Sequence, residues 1–278
     1  DLITGDKIYS GIVKINITQS GLFPLKIKAV DQLGNSASSQ LVYINVDNDP
    51  PQIEELKLIN QDNYFRNGEC IQLECKVNSP VKRFLVDLSK LDTQYQPGRE
   101  IWVQEGQIYR IQYVISRFNT QSDTSLNIPV MAIDEVGLKT IQGINLILDN
   151  KGPIIKSFKW KSQTKEKVEK DDELIVEVMD KYSPIVRVEY FVDIVKKPGE
   201  GQVFTGRLNK KQGIFKAELN IDRLSEGKHR ILIWACDAAG NWGDLYEEEF
   251  NINRPAPEIT NLIINDKDRI INRDQEVE

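Results

Sequence analysis

The chain has 278 residues, 40% of them hydrophobic and 28% charged, and 42 acidic against 36 basic side chains give a formal net charge of −6. The apolar share suffices for packed cores and excludes wholesale disorder. No apolar run reaches the ~18–20 residues of a membrane helix, and the acidity argues against the basic face of a nucleic-acid binder. A single histidine, His229, and three cysteines leave little material for histidine- or cysteine-based metal chemistry.

Read from the N-terminus, residues 23–35 (FPLKIKAVDQLGN) introduce a pattern that returns at 126–138 (LNIPVMAIDEVGL) and at 229–241 (HRILIWACDAAGN). Asp31, Asp134 and Asp237 stand 103 residues apart, as do Gly34, Gly137 and Gly240. An acid followed three residues later by glycine suits a tight strand reversal: the carboxylate caps backbone N–H groups and glycine supplies a positive φ. Each motif runs into an alternating strand and then a proline linker, at 47–51 (DNDPP), 149–153 (DNKGP) and 253–257 (NRPAP). Proline cannot donate to a strand ladder and stiffens the passage.

After each linker a new strand begins, with apolar positions Ile53/Leu56/Leu58, Ile155/Phe158/Trp160 and Ile259/Leu262/Ile264. Ile71/Leu73/Cys75 then matches Leu174/Val176/Val178, while residues 84–87 (FLVD) match 190–193 (YFVD) at a spacing of 106. Nearly every segment alternates with period two, and no long window has helical periodicity. Between 50 and 150 the pattern predicts seven strands, near 53–59, 69–77, 81–88, 100–104, 107–115, 125–133 and 139–148. Seven short strands in about 100 residues, with turn signals between them, give an all-β fold of tandem immunoglobulin-like sandwiches. The expected organisation is residues 1–49 as the last strands of one repeat, 50–150 and 151–254 as complete domains, and 255–278 as the first strands of another. The chain then reads as a window of a longer repeat protein.

Residues that carry chemistry are scarce. Catalytic signatures such as G-x-S-x-G, H-E-x-x-H, a P-loop or G-x-G-x-x-G are missing, so no enzyme is expected. His229 opens an apolar strand with no second histidine and reads as structural or surface. Asp171, Asp172 and Glu173 read as turn chemistry before a strand. Cys70 and Cys75 lie ~16 Å apart along one extended strand and on opposite faces, so they do not bridge; Cys75 and Cys236 are expected as core thiols. Trp160 takes the core position of Leu58, and Tyr95, Trp102 and Trp242 are expected to pack over sheet edges, while the side of Trp234 stays open. Glu247, Glu248 and Glu249 place charge on a last strand, a device that discourages pairing with another chain. Asn16-Ile-Thr18 is a glycosylation sequon.

At 44–51 (INVDNDPP), 188–193 (VEYFVD) and 226–242 (EGKHRILIWACDAAGNW) the sequence resembles the immunoglobulin-like tandem repeats of bacterial and archaeal cell-surface and secreted proteins. The resemblance implies a non-enzymatic spacer, stalk, surface-layer, filament or adhesin module, located extracellularly or at the cell surface. It implies as partners further repeats of the same chain, identical subunits or a cell-surface partner; the alternative is an adhesion module that binds glycan or protein. A weaker resemblance joins Ala29-Val-Asp31 and Asp47-Asn-Asp49-Pro to cadherin repeats. It implies calcium at the first junction, with Asp47, Asp49 and Asp134 as ligands. Without that ion these groups are solvated turn carboxylates and no cofactor is expected.

Overall fold

The structure is a computed structural model that describes residues 11–254. Residues 1–10 and 255–278, with the expected strand positions Ile259, Leu262 and Ile264, lie outside the described residues. Among the described residues there is no helix, and no helix long and apolar enough to cross a membrane. The chain divides into two units, residues 1–150 and 151–278.

The first unit opens with strands β1 (Gly21–Leu25), β2 (Lys28–Val30), β3 (Ser36–Ser38) and β4 (Val42–Val46). β1 pairs antiparallel with β4, setting Phe23 opposite Ile44 and Leu25 opposite Val42, and β2 pairs with β3 around the turn at 31–35. No residue from 11 to 49 is buried.

A two-sheet sandwich follows, built from β5 (Ile53–Leu58), β6 (Tyr64–Phe65), β7 (Cys70–Val77), β8 (Arg83–Val86), β9 (Ile101–Glu105), β10 (Ile108–Val114), β11 (Thr124–Ile133) and β12 (Lys139–Leu148). One sheet runs β5-β7-β10-β9 and the other β6-β12-β11-β8. Seven of these strands coincide with the predicted ones to within a few residues. The eighth, β6, pairs parallel with the end of β12. The period-two pattern decides which side chains face inward. Ile71, Leu73, Cys75 and Val77 of β7 are buried, while Gln72, Glu74 and Lys76 between them face outward. Ile111 and Tyr113 from β10, Ile128 and Val130 from β11, and Leu146 and Leu148 from β12 close the core from the facing strands. Each such aliphatic or aromatic side chain contributes about 1.5–3 kcal/mol on full burial.

The second unit repeats the plan with β13 (Ile154–Trp160), β14 (Asp172–Met179), β15 (Ile185–Val192), β16 (Gln202–Val203), β17 (Thr205–Gly206), β18 (Gln212–Leu219), β19 (Gly227–Asp237) and β20 (Tyr246–Ile252). Its sheets are β13-β14-β18-β17 and β16-β15-β19-β20. Leu174, Val176, Val178, Phe215, Tyr190, Ile231, Ile233 and Phe250 form its core. Both first strands carry a bulge at the same place, between Ile53 and Glu55 and between Ile155 and Ser157.

The sheet register corrects one sequence alignment. Phe84 lies opposite Ala132 and Val188 opposite Ala235, and those alanines are equivalent. Residues 84–87 therefore correspond to 188–191, at a spacing of 104, and not to 190–193. The similar FLVD and YFVD letters belong to neighbouring steps of the same strand, and the register sets Leu85 against Glu189. None of the three cysteines forms a disulfide. Cys75 sits in the core, and burial pushes its thiol up to about 12. Cys236 is buried but belongs to none of the core clusters.

Candidate functional site

The three Asp-x-x-Gly motifs each form the same five-residue reversal. The Asp N–H donates to the carbonyl four residues on, at 2.9 Å for Asp31, 3.1 Å for Asp134 and 3.1 Å for Asp237, and the Gly N–H returns to the Asp carbonyl. Gly34, Gly137 and Gly240 have φ of +88°, +95° and +78°, a region in which a side chain is strained. The carboxylates complete the turn. Asp31 accepts N–H bonds from Leu33 and Asn35, Asp134 from Val136, Gly137 and Leu138, and Asp237 from Asn241. The side-chain and backbone bonds from Asn35 hold the Asp31 carboxyl below its usual range.

The copies differ at one residue. Asn35 Nδ2 donates to the second oxygen of Asp31 at 2.8 Å, and Asn241 Nδ2 to that of Asp237 at 3.0 Å. In the middle copy Leu138 takes the place of that asparagine, and Asp134 Oδ2 is buried with no hydrogen-bond partner. An orphaned buried acceptor costs about 1–3 kcal/mol. Leu138→Asn is therefore expected to stabilise the first sandwich by about 1–2 kcal/mol, read as a higher urea midpoint at unchanged slope. Asn241→Leu serves as the converse in the second sandwich. An unchanged midpoint for L138N refutes the account.

Asp47, Asp49 and Asp134 do not gather. Their carboxylate oxygens form no group within 4.8 Å of one another. Asp47 instead accepts the N–H of Asp49 in an exposed linker turn, and the three turn amides engage Asp134 Oδ1. In the second sandwich Asp180 is a buried carboxyl where the first has Val77 in its core. Burial raises it above its usual range, the N–H groups of Ser183 and Tyr182 oppose that, and the charge of Asp237 adds to the rise. Asp172 is likewise a buried anchor, accepting Ser162 Oγ at 2.6 Å and the Gln163 N–H at 3.0 Å.

His229 has a defined place. It is 7% exposed; Nδ1 lies 2.8 Å from Asp193 Oδ2 and Nε2 lies 2.9 Å from the Ser225 carbonyl, with the ring tilted on Phe250. Both nitrogens face acceptors, an arrangement that favours the doubly protonated ring. This is a clamp between the loop after β15 and β19. Burial lowers the imidazole pKa, but the Asp193 carboxylate and Ser225 carbonyl outweigh burial and the repulsion from Arg254, and the net shift is upward from 6.5. A raised folded pKa gives stability that is fully present below the unfolded value and is lost as pH rises through the folded one. The second sandwich is therefore expected to lose stability as pH rises above 6.5, and His229→Gln to flatten the dependence. The lone histidine gives one clean NMR titration; a midpoint below 6.5 would refute the clamp.

The aromatics pack rather than form a platform. Trp160 lies 5.2 Å from Phe250 and Trp102 lies 5.1 Å from Phe84. Tyr95 meets Tyr113 edge-on. Trp234 is half-buried, meets Trp242 edge-on at 5.3 Å and donates to the Gly243 carbonyl.

Sequence reasoning singled out neither Glu189 nor the cleft beside it. Glu189 is fully buried in β15, paired to Arg187 at 2.7 Å, and it accepts the N–H groups of Gly199 and Gly201. The loop it holds flanks a cavity of about 640 Å³ lined by Phe191, Val192, Ile194, Leu219 and Leu224 with polar neighbours.

No family model matches the chain, and no curated protein matches it. Among solved structures, an I-band fragment of titin is 14% identical over 74% of this chain and 66% of its own, with a TM-score of 0.40. The FdeC adhesin of Escherichia coli is 10% identical over 83% and 74%, with a TM-score of 0.36. Fibronectin(III)-like modules of Clostridium thermocellum CbhA are 14% identical over 72% and 95%, with a TM-score of 0.34. The fold follows from the sheets themselves. In each sandwich the first, second, fifth and fourth main strands make one sheet, and the third, sixth and seventh make the other. With the 103-residue repeat, that order makes this chain a tandem of immunoglobulin-like β-sandwiches.

Proposed function

We propose that the chain is a non-enzymatic structural module, a spacer or stalk segment, of a larger extracellular repeat protein. The observation that carries this reading is repetition of a self-contained unit. Each sandwich has its own core, and a proline-bearing linker enters each at Pro50-Pro51 and Pro153. A repeated unit with its own core resists extension by itself, and stiff short linkers limit bending. The extracellular placement draws on the resemblance of the repeat to surface and secreted proteins.

Single-molecule pulling of the chain between inert handles tests the mechanical role. Two cooperative ruptures are expected, each releasing about 100 residues, or roughly 33 nm of extended chain. A gradual extension without peaks overturns the spacer reading. Antibody labelling of intact source cells tests the location, and labelling that needs permeabilised cells overturns it.

A further inference from the structure

An edge strand presents a row of backbone N–H and C=O groups with no neighbour, a template for pairing with another chain unless something blunts it. In the two sandwiches, seven of the eight edge strands are blunted. β5 and β13 are bent by their bulges. β6, β16 and β17 are two residues long. β8 opens on Arg83, next to Lys82, and β20 carries Glu247, Glu248 and Glu249. β9 has none of these devices. It pairs with β10 in unbroken register, holds no proline and no lysine, and ties its single charge, Glu105, to Arg110 at 2.8 Å. Its outward side chains Ile101 and Val103 are 63% and 49% exposed.

The turn after β9 fixes which of its backbone groups are free. Gly106 and Gln107 form a two-residue hairpin loop, with φ of +61° at Gly106. Such a loop closes on a hydrogen-bonded pair, and bonding then alternates along the ladder. Glu105, Val103 and Ile101 therefore bond to Ile108, Arg110 and Gln112, while Trp102 and Gln104 turn their N–H and C=O groups to the open edge. The Trp102 ring packs on Phe84 and leaves that edge clear.

This spacing is self-complementary. When two β9 strands meet antiparallel about Val103, Trp102 of each lies opposite Gln104 of the other, and the outward groups bond in both directions. Val103 meets its own counterpart on the two-fold axis as a close non-bonded pair. Ile101 faces Glu105, so like charges do not meet.

We propose that β9 pairs with the β9 strand of a second copy, joining two four-stranded sheets into one. Any strand offers a backbone; the outward residues placed symmetrically about Val103 and the internal neutralisation of Glu105 favour the chain's own copy. This goes beyond the spacer role, which holds for a monomer as well as for a pair. One five-residue edge makes a weak contact, and an array of repeats multiplies it.

Sedimentation velocity of the full chain from ~10 μM to ~1 mM is expected to pass from monomer to dimer. Over that range the amides of Trp102 and Gln104 are expected to gain hydrogen-exchange protection, while Val103, already bonded to β10, stays unchanged. Val103→Lys places like charges on the axis and is expected to weaken association at least tenfold with the fold retained. Val103→Glu is expected to do the same, and mixing the two variants to restore association, because only an axial residue meets its counterpart. Gln104→Pro, which removes an outward donor, is the blocking variant where V103K perturbs the fold. A monomer at the highest concentration, association undiminished in a folded blocking variant, or no recovery in the mixture overturns the proposal. Protection gained only within residues 21–46 identifies the β1–β4 pair as the contact and also overturns it.

Discussion

Arg187→Met is expected to destabilise the second sandwich by about 3 kcal/mol, and adding Glu189→Leu to recover most of the loss. Glu189 has no exposed side-chain surface, and its charge is met by Arg187 at 2.7 Å and by two glycine N–H groups. Taking away the guanidinium leaves a buried carboxylate with only backbone donors, and uncompensated buried charge is among the costliest single changes. Removing both charges leaves no ion to solvate. Leucine is the residue that the first sandwich carries at that register position, Leu85 opposite Met131, as Glu189 is opposite Trp234. Urea unfolding of the single and double variants measures both terms. A single variant within about 0.5 kcal/mol of the parent refutes the argument. The double variant also frees residues 193–201 from their pin, so the amides of Gly199 and Gly201 are expected to lose hydrogen-exchange protection even where stability is restored.

The strands were legible because period-two alternation is a direct image of burial. Ile71, Leu73 and Cys75 announced β7, and Leu174, Val176 and Val178 announced β14. The shared bulge was also written in the sequence, for Ile53 to Leu56 is a three-residue step in an otherwise two-residue pattern, and the extra residue falls there. β6 was not legible, since two residues carry no periodicity. The β8 and β15 alignment slipped because hydrophobic letters repeat along a strand, and only cross-strand register at Ala132 and Ala235 fixes it. Turn chemistry was legible at Asp31, Asp134 and Asp237, but the unpaired Asp134 oxygen depended on reading Leu138 against Asn35 and Asn241. Calcium ligation at Asp47, Asp49 and Asp134 rested on resemblance, and local amides take oxygens of Asp47 and Asp134.

Asp92→Ala is expected to cost the first sandwich about 3–4 kcal/mol, the largest effect of any single polar substitution considered for it. Asp92 is 1% exposed. Its oxygens accept the Tyr113 hydroxyl, the Ser116 N–H and the Gln94 N–H at 2.8 Å. Alanine strands three donors, two of them beside the core. The loss falls below the sum of three orphan penalties, because residues 88–96 can swing out and let water reach the freed groups. Burial already pushes the Tyr113 hydroxyl above its usual range, and its bond to the Asp92 carboxylate adds to the shift. Asp92→Asn retains an acceptor and is expected to lose about half as much. The decisive readout is position-specific. If the Asp92 network holds residues 88–96 inward, D92A exposes Leu91 and Tyr95, and the amides of residues 88–96 lose hydrogen-exchange protection. A destabilised D92A whose residues 88–96 keep their hydrogen-exchange protection would show that core packing of Leu88 and Leu91, rather than the carboxylate, closes that side of the sandwich.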